Sequence, residues 1–370
     1  MPTRILHVSQ PCEAGVATVL LGYLDRQLSA TGDDLQLSVA CPAGSYLAAQ
    51  VQARGIEALP WEATRRPGPS VLREVRALSD LVNFWAPDLV HLHSSKAGLA
   101  GRLVIRGQIP TVFQPHAWSF ESVHGMTGVL SRLWEHRASH WAHVTVCVSQ
   151  AERAAAPTPD IRARAQVIPN TVDPSRWTVG DRGAARARLG LDPSLPYAMC
   201  IGRLCAQKGQ QTLVSSWPKI RDRVPDAQLV LIGDGPMARE LSRSCPRGVW
   251  LVGPQDAAPW YAACDLVVVP SQWEAMAMVP LEAQAAGRMV LGYDVDGMAE
   301  SLGPSNVLVP AGDRDQLAGA LTTALLDLPR THQQGIQGRL FAVLTYSPAS
   351  QLNLLQTAYQ DARQRHSQQT

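Results

Sequence analysis

Two acidic side chains eight positions apart, Glu274 and Glu282, stand in the segment Ser271–Gly287, SQWEAMAMVPLEAQAAG. An uncharged apolar stretch follows Asp265, and an alanine-rich helical pattern resumes near Met278, with Pro280 tolerable in a first helical turn. The segment is therefore expected to run strand, loop, helix, aiming the backbone of Ala275, Met276, Ala277 and Met278 and a helix N-terminus at a ligand. Such a terminus carries roughly half a positive charge and attracts phosphate. On that geometry Glu282, in the helix's first turn, meets the hydroxyls of a ribose, and Glu274 meets a sugar attached through the phosphate. The alternative is that Glu282 only favours the helix dipole and Glu274 caps a turn.

A second strand-loop-helix pattern, IGRLCAQKGQQTLV (201–214), holds Arg203 and Lys208 in its loop. Two cations at a strand's carboxyl end can neutralise a departing diphosphate without a metal, while plain surface solvation is the alternative for Lys208. In LIGDGP (231–236), Gly233 and Gly235 permit close backbone approach, although such a triplet is usually only a turn. The Asp-x-Asp matches at 294–296 and 313–315 are too short to specify a cation, so no metal site is expected. His91 and His93 alternate at a strand end and read as structural. Trp134 and Trp141, beside Arg132 and Arg137, read as core, with contact to a membrane surface as the alternative.

These loops need a scaffold. Short apolar runs at 4–10, 35–42, 87–95 and 110–117 alternate with helical stretches, the pattern of parallel βαβ units covered on both faces. A loop with Pro157, Pro159, Pro169 and Pro174 follows, and the scheme restarts at 196–204 with further runs at 227–235, 249–253, 264–271, 288–295 and 306–313. This predicts an α/β chain of two Rossmann-like domains, 1–172 and 190–349, with the boundary near 172–195 and ligands where strand carboxyl ends face an interdomain cleft. The last stretch, about 350–370, is expected to pack back on the first domain as a helix.

Composition agrees. At 370 residues the chain suits two domains of about 150–200 residues. Its 46% hydrophobic content is globular, and a net charge of +2 argues against nucleic acid as a partner. Seven cysteines without a C-x-x-C pair argue for free thiols in a reducing compartment. No apolar stretch reaches the roughly 18 residues of a membrane helix, and the N-terminus runs directly into a strand, so a cytoplasmic location is expected.

Over almost its whole length the sequence resembles the retaining nucleotide-sugar glycosyltransferases of family 4, which have the GT-B fold of two Rossmann-like domains. The resemblance rests on AGVATVLLGYL (14–24), HSSKAGLAGRL (93–103), VIPNTVD (167–173), GRLCAQKG (202–209), IGDGP (232–236), the run 267–287 and VLVPAGD (307–313). It implies an N-terminal acceptor domain and a C-terminal nucleotide-sugar domain. Arg203 and Lys208 then bind the diphosphate, Glu274 lies by the donor sugar, and Glu282 grips the ribose. Gly15, His116, Gly233 and residues Ala275 to Met278 complete the donor site. It further implies no cofactor, a UDP- or GDP-type sugar donor, and an acceptor that is a small molecule or lipid-linked, as in polysaccharide or antibiotic assembly, with peripheral contact at the inner membrane face. A nucleotide-sugar epimerase of the same fold and a non-enzymatic bilobal sugar-binding protein are the alternatives.

Two departures stand out. Ala275 and Ala277 follow Glu274 where the family usually has glycines, and a single Gly15 stands where a Gly-Gly pair is common. Left-handed geometry costs an alanine about 1–2 kcal/mol, so the donor loop must take another path or avoid positive φ.

Overall fold

The computed structural model describes residues 2–31, 34–64, 68–121, 123 and 125–369. The chain forms two compact units, Met1–Asn170 with Pro348–Thr370, and Thr171–Ser347.

Unit 1 is built on seven strands: β1 Thr3–Ser9, β2 Leu35–Cys41, β3 Glu57–Pro60, β4 Leu89–His93, β5 Thr111–Gln114, β6 Val144–Cys147 and β7 Ala165–Val167. Their order is β3-β2-β1-β4-β5-β6-β7, with every pair parallel. The direction of winding reverses between β1 and β4, so their carboxyl ends border the crevice where this topology binds ligands. All five residues of β4 are buried, the signature of a strand covered on both faces. One core gathers Leu6, Val8, Trp61, Leu78, Trp85, Leu92, Phe113 and Trp118. The terminal helix Pro348–Ser367 belongs to this unit, held by Gln351 Nε2 on Pro169 O (2.6 Å), Gln166 Nε2 on Asp361 Oδ2 (2.6 Å) and Arg365 Nη1 on His143 O (3.0 Å).

Unit 2 repeats the design with β8 Tyr197–Ile201, β9 Gln228–Ile232, β10 Val249–Leu251, β11 Leu266–Val269, β12 Met289–Asp294 and β13 Val307–Pro310. The order is β10-β9-β8-β11-β12-β13, again parallel, with the reversal between β8 and β11. Leu213, Trp217, Leu229, Leu231, Val268, Leu291 and Leu321 pack its core. The unit begins at Thr171, at the edge of the boundary region expected near 172–195, and takes in the helix Arg182–Leu189. The reason is a long-range ion pair: buried Asp265, just before β11, accepts from Arg186 Nη2 (2.7 Å), from Tyr197 N (2.7 Å) and from His332 Nε2 (2.9 Å). These partners and the flanking Arg182 hold the carboxyl below its usual range although burial opposes them.

Among the described residues no helix is long and apolar enough to cross a membrane. All seven cysteines are free.

Candidate functional site

In unit 2 the loops after β8 and β11 leave adjacent central strands, and they carry Arg203, Lys208 and Glu274, three of the four charged residues singled out from the sequence. Lys208 closes a single helical turn, Ala206–Lys208, and its Nζ forms an ion pair with Glu274 Oε1. Glu274 is buried, while Arg203 is exposed and makes no ion pair or side-chain hydrogen bond to the described residues. The two loops are stitched by one backbone and one side-chain hydrogen bond: Gln272 N donates to Gln207 O (2.8 Å) and Gln207 Nε2 to Trp273 O (3.2 Å).

Two glycines let the loops close up. Gly233 follows β9 at φ +138°, and a Cβ there would lie 2.1 Å from Gly202 O. Gly297 donates its amide to Glu274 O (2.9 Å), and a Cβ there would lie 1.7 Å from Ala275 O. No larger residue fits either place without moving the strand-end loops.

The alanines after Glu274, Ala275 and Ala277, avoid positive φ, and Ala277 sits at −70°, 146° as the N-cap of the helix Met278–Ala285. Alanine has no acceptor with which to cap, a defect of about 1 kcal/mol relative to Ser or Asp. The first-turn amides of Met278 and Val279 therefore receive no side-chain cap, which leaves this terminus open to an anion. Pro280, the third helical residue, has no amide hydrogen to satisfy.

Glu282 is the fifth residue of that helix, so it lies beyond the first turn, where the sequence reading had placed it. Glu282 Oε2 accepts from the hydroxyl of Tyr261 (3.1 Å). Burial pushes the carboxyl up to about 7, with the Tyr261 hydrogen bond and the Arg176 charge opposing.

Unit 1 concentrates strain at the ends of its central strands. Among the described residues six non-glycines have positive φ. Ala86 and Arg106 end helices, whereas Ala14, Ser94, His116 and Ala117 follow β1, β4 and β5. Such strain persists only where surrounding structure enforces it, and it gathers at functional sites. Ala14, at φ +55°, takes the left-handed place beside the exposed Gly15. The His116–Ala117 turn is held by Glu152, whose carboxylate accepts from Ala117 N (2.6 Å) and Val148 N (2.6 Å). Burial raises Glu152 to about 7 and depresses His116 to about 3, so the imidazole is neutral in ordinary buffers. Glu152 escaped notice in the sequence, although Ser149-x-x-Glu152 has the spacing of a helix capping box.

Two family models match consecutive stretches of the chain: "Glycosyltransferase Family 4" over residues 15–176 and "Glycosyl transferases group 1" over 196–327. The first half of the chain thus resembles family 4 glycosyltransferases and the second half group 1 glycosyltransferases. Among its relatives, a D-inositol 3-phosphate glycosyltransferase of Nocardia farcinica is 34% identical over 193 residues, which is 48% of this chain and 43% of the relative. The alpha-maltose-1-phosphate synthase of Mycolicibacterium smegmatis is 29% identical over 75% of this chain and 80% of its own length. The match spans about half the length, or less, of the first curated relatives. Anabaena HepE, solved with UDP and glucose, superposes with a TM-score of 0.82 over 96% of this chain and 98% of its own, at 19% identity. That likeness identifies the fold as GT-B.

Proposed function

We propose that this protein is a metal-independent glycosyltransferase of family 4, moving a sugar from a nucleoside diphosphate to an acceptor hydroxyl with retention at the anomeric carbon. The observation that carries this reading is the meeting of Arg203, Lys208, Glu274 and an uncapped helix terminus at the strand-order reversal of unit 2. As the bond from anomeric carbon to diphosphate oxygen breaks, the diphosphate takes the electron pair. Arg203, Lys208 and the amides of Met278 and Val279 stabilise the charge that develops there. Glu274 holds Lys208 in place in the free protein and faces the sugar when donor is bound. Glu282 takes the ribose hydroxyls, and Gly233 lets the neighbouring loop approach. A relative that is a D-inositol 3-phosphate glycosyltransferase, another that is an alpha-maltose-1-phosphate synthase, and HepE's UDP and glucose support sugar transfer with a UDP-type donor, GDP being the alternative.

The acceptor in this reading is presented at an anionic membrane face in the cytoplasm. Support comes from the helix Gly125–Ala138, where Met126, Val129, Leu130 and Leu133 form an i, i+3, i+4, i+7 stripe, each more than half exposed. Arg132, His136 and Arg137 flank it in the open, while its single acid, Glu135, is buried against Arg102 at 2.8 and 3.0 Å. An apolar stripe with a basic rim suits an anionic bilayer. Trp134 turns inward instead, edge to face with Trp141 at 6.1 Å.

The test is incubation with UDP- and GDP-sugars with and without a membrane-extract acceptor. Acceptor-dependent nucleoside diphosphate release is expected. An isomerised nucleotide sugar formed without acceptor would replace this reading with the epimerase, and binding of free sugar but not nucleotide would replace it with the bilobal binding protein.

A further inference from the structure

Strand register puts three imidazoles on one face of the unit 1 sheet. His7 on β1 pairs directly with His91 on β4, and His93 follows two residues later on the same face. All three are fully buried. Helix Ala14–Thr31 covers this face with Tyr23, and the terminal helix covers it with Tyr359. One ring nitrogen from each histidine lies within 4.8 Å of the others. His7 Nδ1 and His93 Nε2 are 3.0 Å apart. Two nitrogens bound to one tetrahedral zinc ion, at about 2.0–2.1 Å each, stand about 3.3 Å apart. Small ring rotations therefore convert the present contact into shared ligation.

In His91 and His93 the nitrogen pointing the other way is held as it usually is in ligand histidines, while Nε2 of His7 has no hydrogen-bond partner. His91 Nδ1 meets the Tyr359 hydroxyl at 3.0 Å, and His93 Nδ1 meets His116 Nε2 at 3.3 Å. Outer partners of this kind fix the tautomer and leave the second nitrogen free to bind metal. Nε2 of His91 is buried without a hydrogen-bond partner, a costly condition for a polar atom in a core. Packing alone explains buried rings, but not three of them converging with an orphaned acceptor among them.

We propose that His7, His91 and His93 bind one transition-metal ion of the zinc type, which clamps β1 to β4 beneath the two covering helices. Three neutral imidazoles suit zinc, cobalt or copper and not magnesium or calcium, which require oxygen ligands. The ion is structural. It sits in unit 1, whereas the diphosphate chemistry is assigned to unit 2, so the inference stands or falls apart from the proposed transfer.

The experiment uses the full chain, stripped under mild conditions and titrated with zinc or cobalt chloride. Stoichiometric uptake is expected, with a melting temperature that rises with zinc concentration. Cobalt should give the visible bands of a low-coordinate nitrogen site and no sulfur charge transfer. His91→Gln should abolish uptake. Because a core substitution can unfold the unit, Tyr359→Phe supplies the second arm: it keeps all three rings and should lower metal affinity about ten- to a hundredfold by freeing His91. Folded wild-type protein that takes up no stoichiometric zinc or cobalt overturns the proposal. So does a sulfur-to-cobalt band, or uptake with wild-type affinity in both variants.

Discussion

Glu282→Gln should stabilise the free protein, and only above acid pH. Burial raises this carboxyl from 4.5 to about 7, so the folded chain holds the proton more tightly than the unfolded chain. Stability is then highest below the unfolded value and falls as pH climbs from about 4.5 through about 7, where the buried group must ionise. A displacement of that size corresponds to at most about 3 kcal/mol. The side chain is only partly buried, so screening lowers the expected figure to about 1–2 kcal/mol. Glutamine keeps an acceptor for Tyr261 and never ionises. Urea denaturation at several pH values should therefore show wild type and variant equal near pH 4.5, diverging to about 1–2 kcal/mol by pH 8. Glu152 titrates in the same window but is common to both proteins and cancels in the difference. A stability difference that does not change with pH would refute the argument that Glu282 is an ionisable group held in a costly place for a ligand.

Alanine at Arg203 or Lys208 should lower kcat about a hundredfold or more, since each is assigned charge that grows only as the glycosidic bond breaks; steady-state kinetics with unchanged kcat removes that residue from the mechanism. Transfer should continue in excess EDTA over times too short for a buried ion to leave unit 1, and loss of rate restored by magnesium or manganese would show the leaving-group electrostatics misassigned. Leu133→Glu should weaken sedimentation with vesicles containing anionic lipid while leaving binding to neutral vesicles and thermal stability nearly unchanged, because Leu133 is exposed; equal sedimentation of both proteins would contradict membrane contact through that helix.

Much of the scaffold was legible because parallel strands buried on both faces read as short unbroken apolar runs, as in LVVV of β11, and because Gly and Pro punctuate their ends. The loops bearing Arg203, Lys208 and Glu274 followed from that reading, as did the helix start at Met278. What stayed hidden depends on partners distant in sequence. Arg186 joins unit 2 through Asp265, 79 positions away, so its helix fell in the boundary region between the two expected domains. His7 joins His93 across 86 positions, which no local pattern around His91 and His93 reveals. Glu152 works by reaching back 35 residues to the amide of Ala117. The backbone at Ala275 and Ala277 was undecidable from residue type alone, because alanine tolerates both paths at different cost, and the close packing of Gly297 against Ala275 O lies 22 positions away in the sequence.

The central claim is that unit 2 binds a nucleoside diphosphate with Glu282 on the ribose. Calorimetric titration of wild type and Glu282→Ala with UDP, GDP and the 2′,3′-dideoxy form of whichever binds tests it most directly. Charged hydrogen bonds of this kind contribute roughly 1.5–3 kcal/mol, so the variant should bind the normal nucleotide about ten- to a hundredfold more weakly. It should bind the dideoxy nucleotide almost as well as wild type does, because the hydroxyls are already absent. Equal weakening of both nucleotides would remove Glu282 from the ribose, and absence of binding by either base in the wild type would contradict the donor site itself.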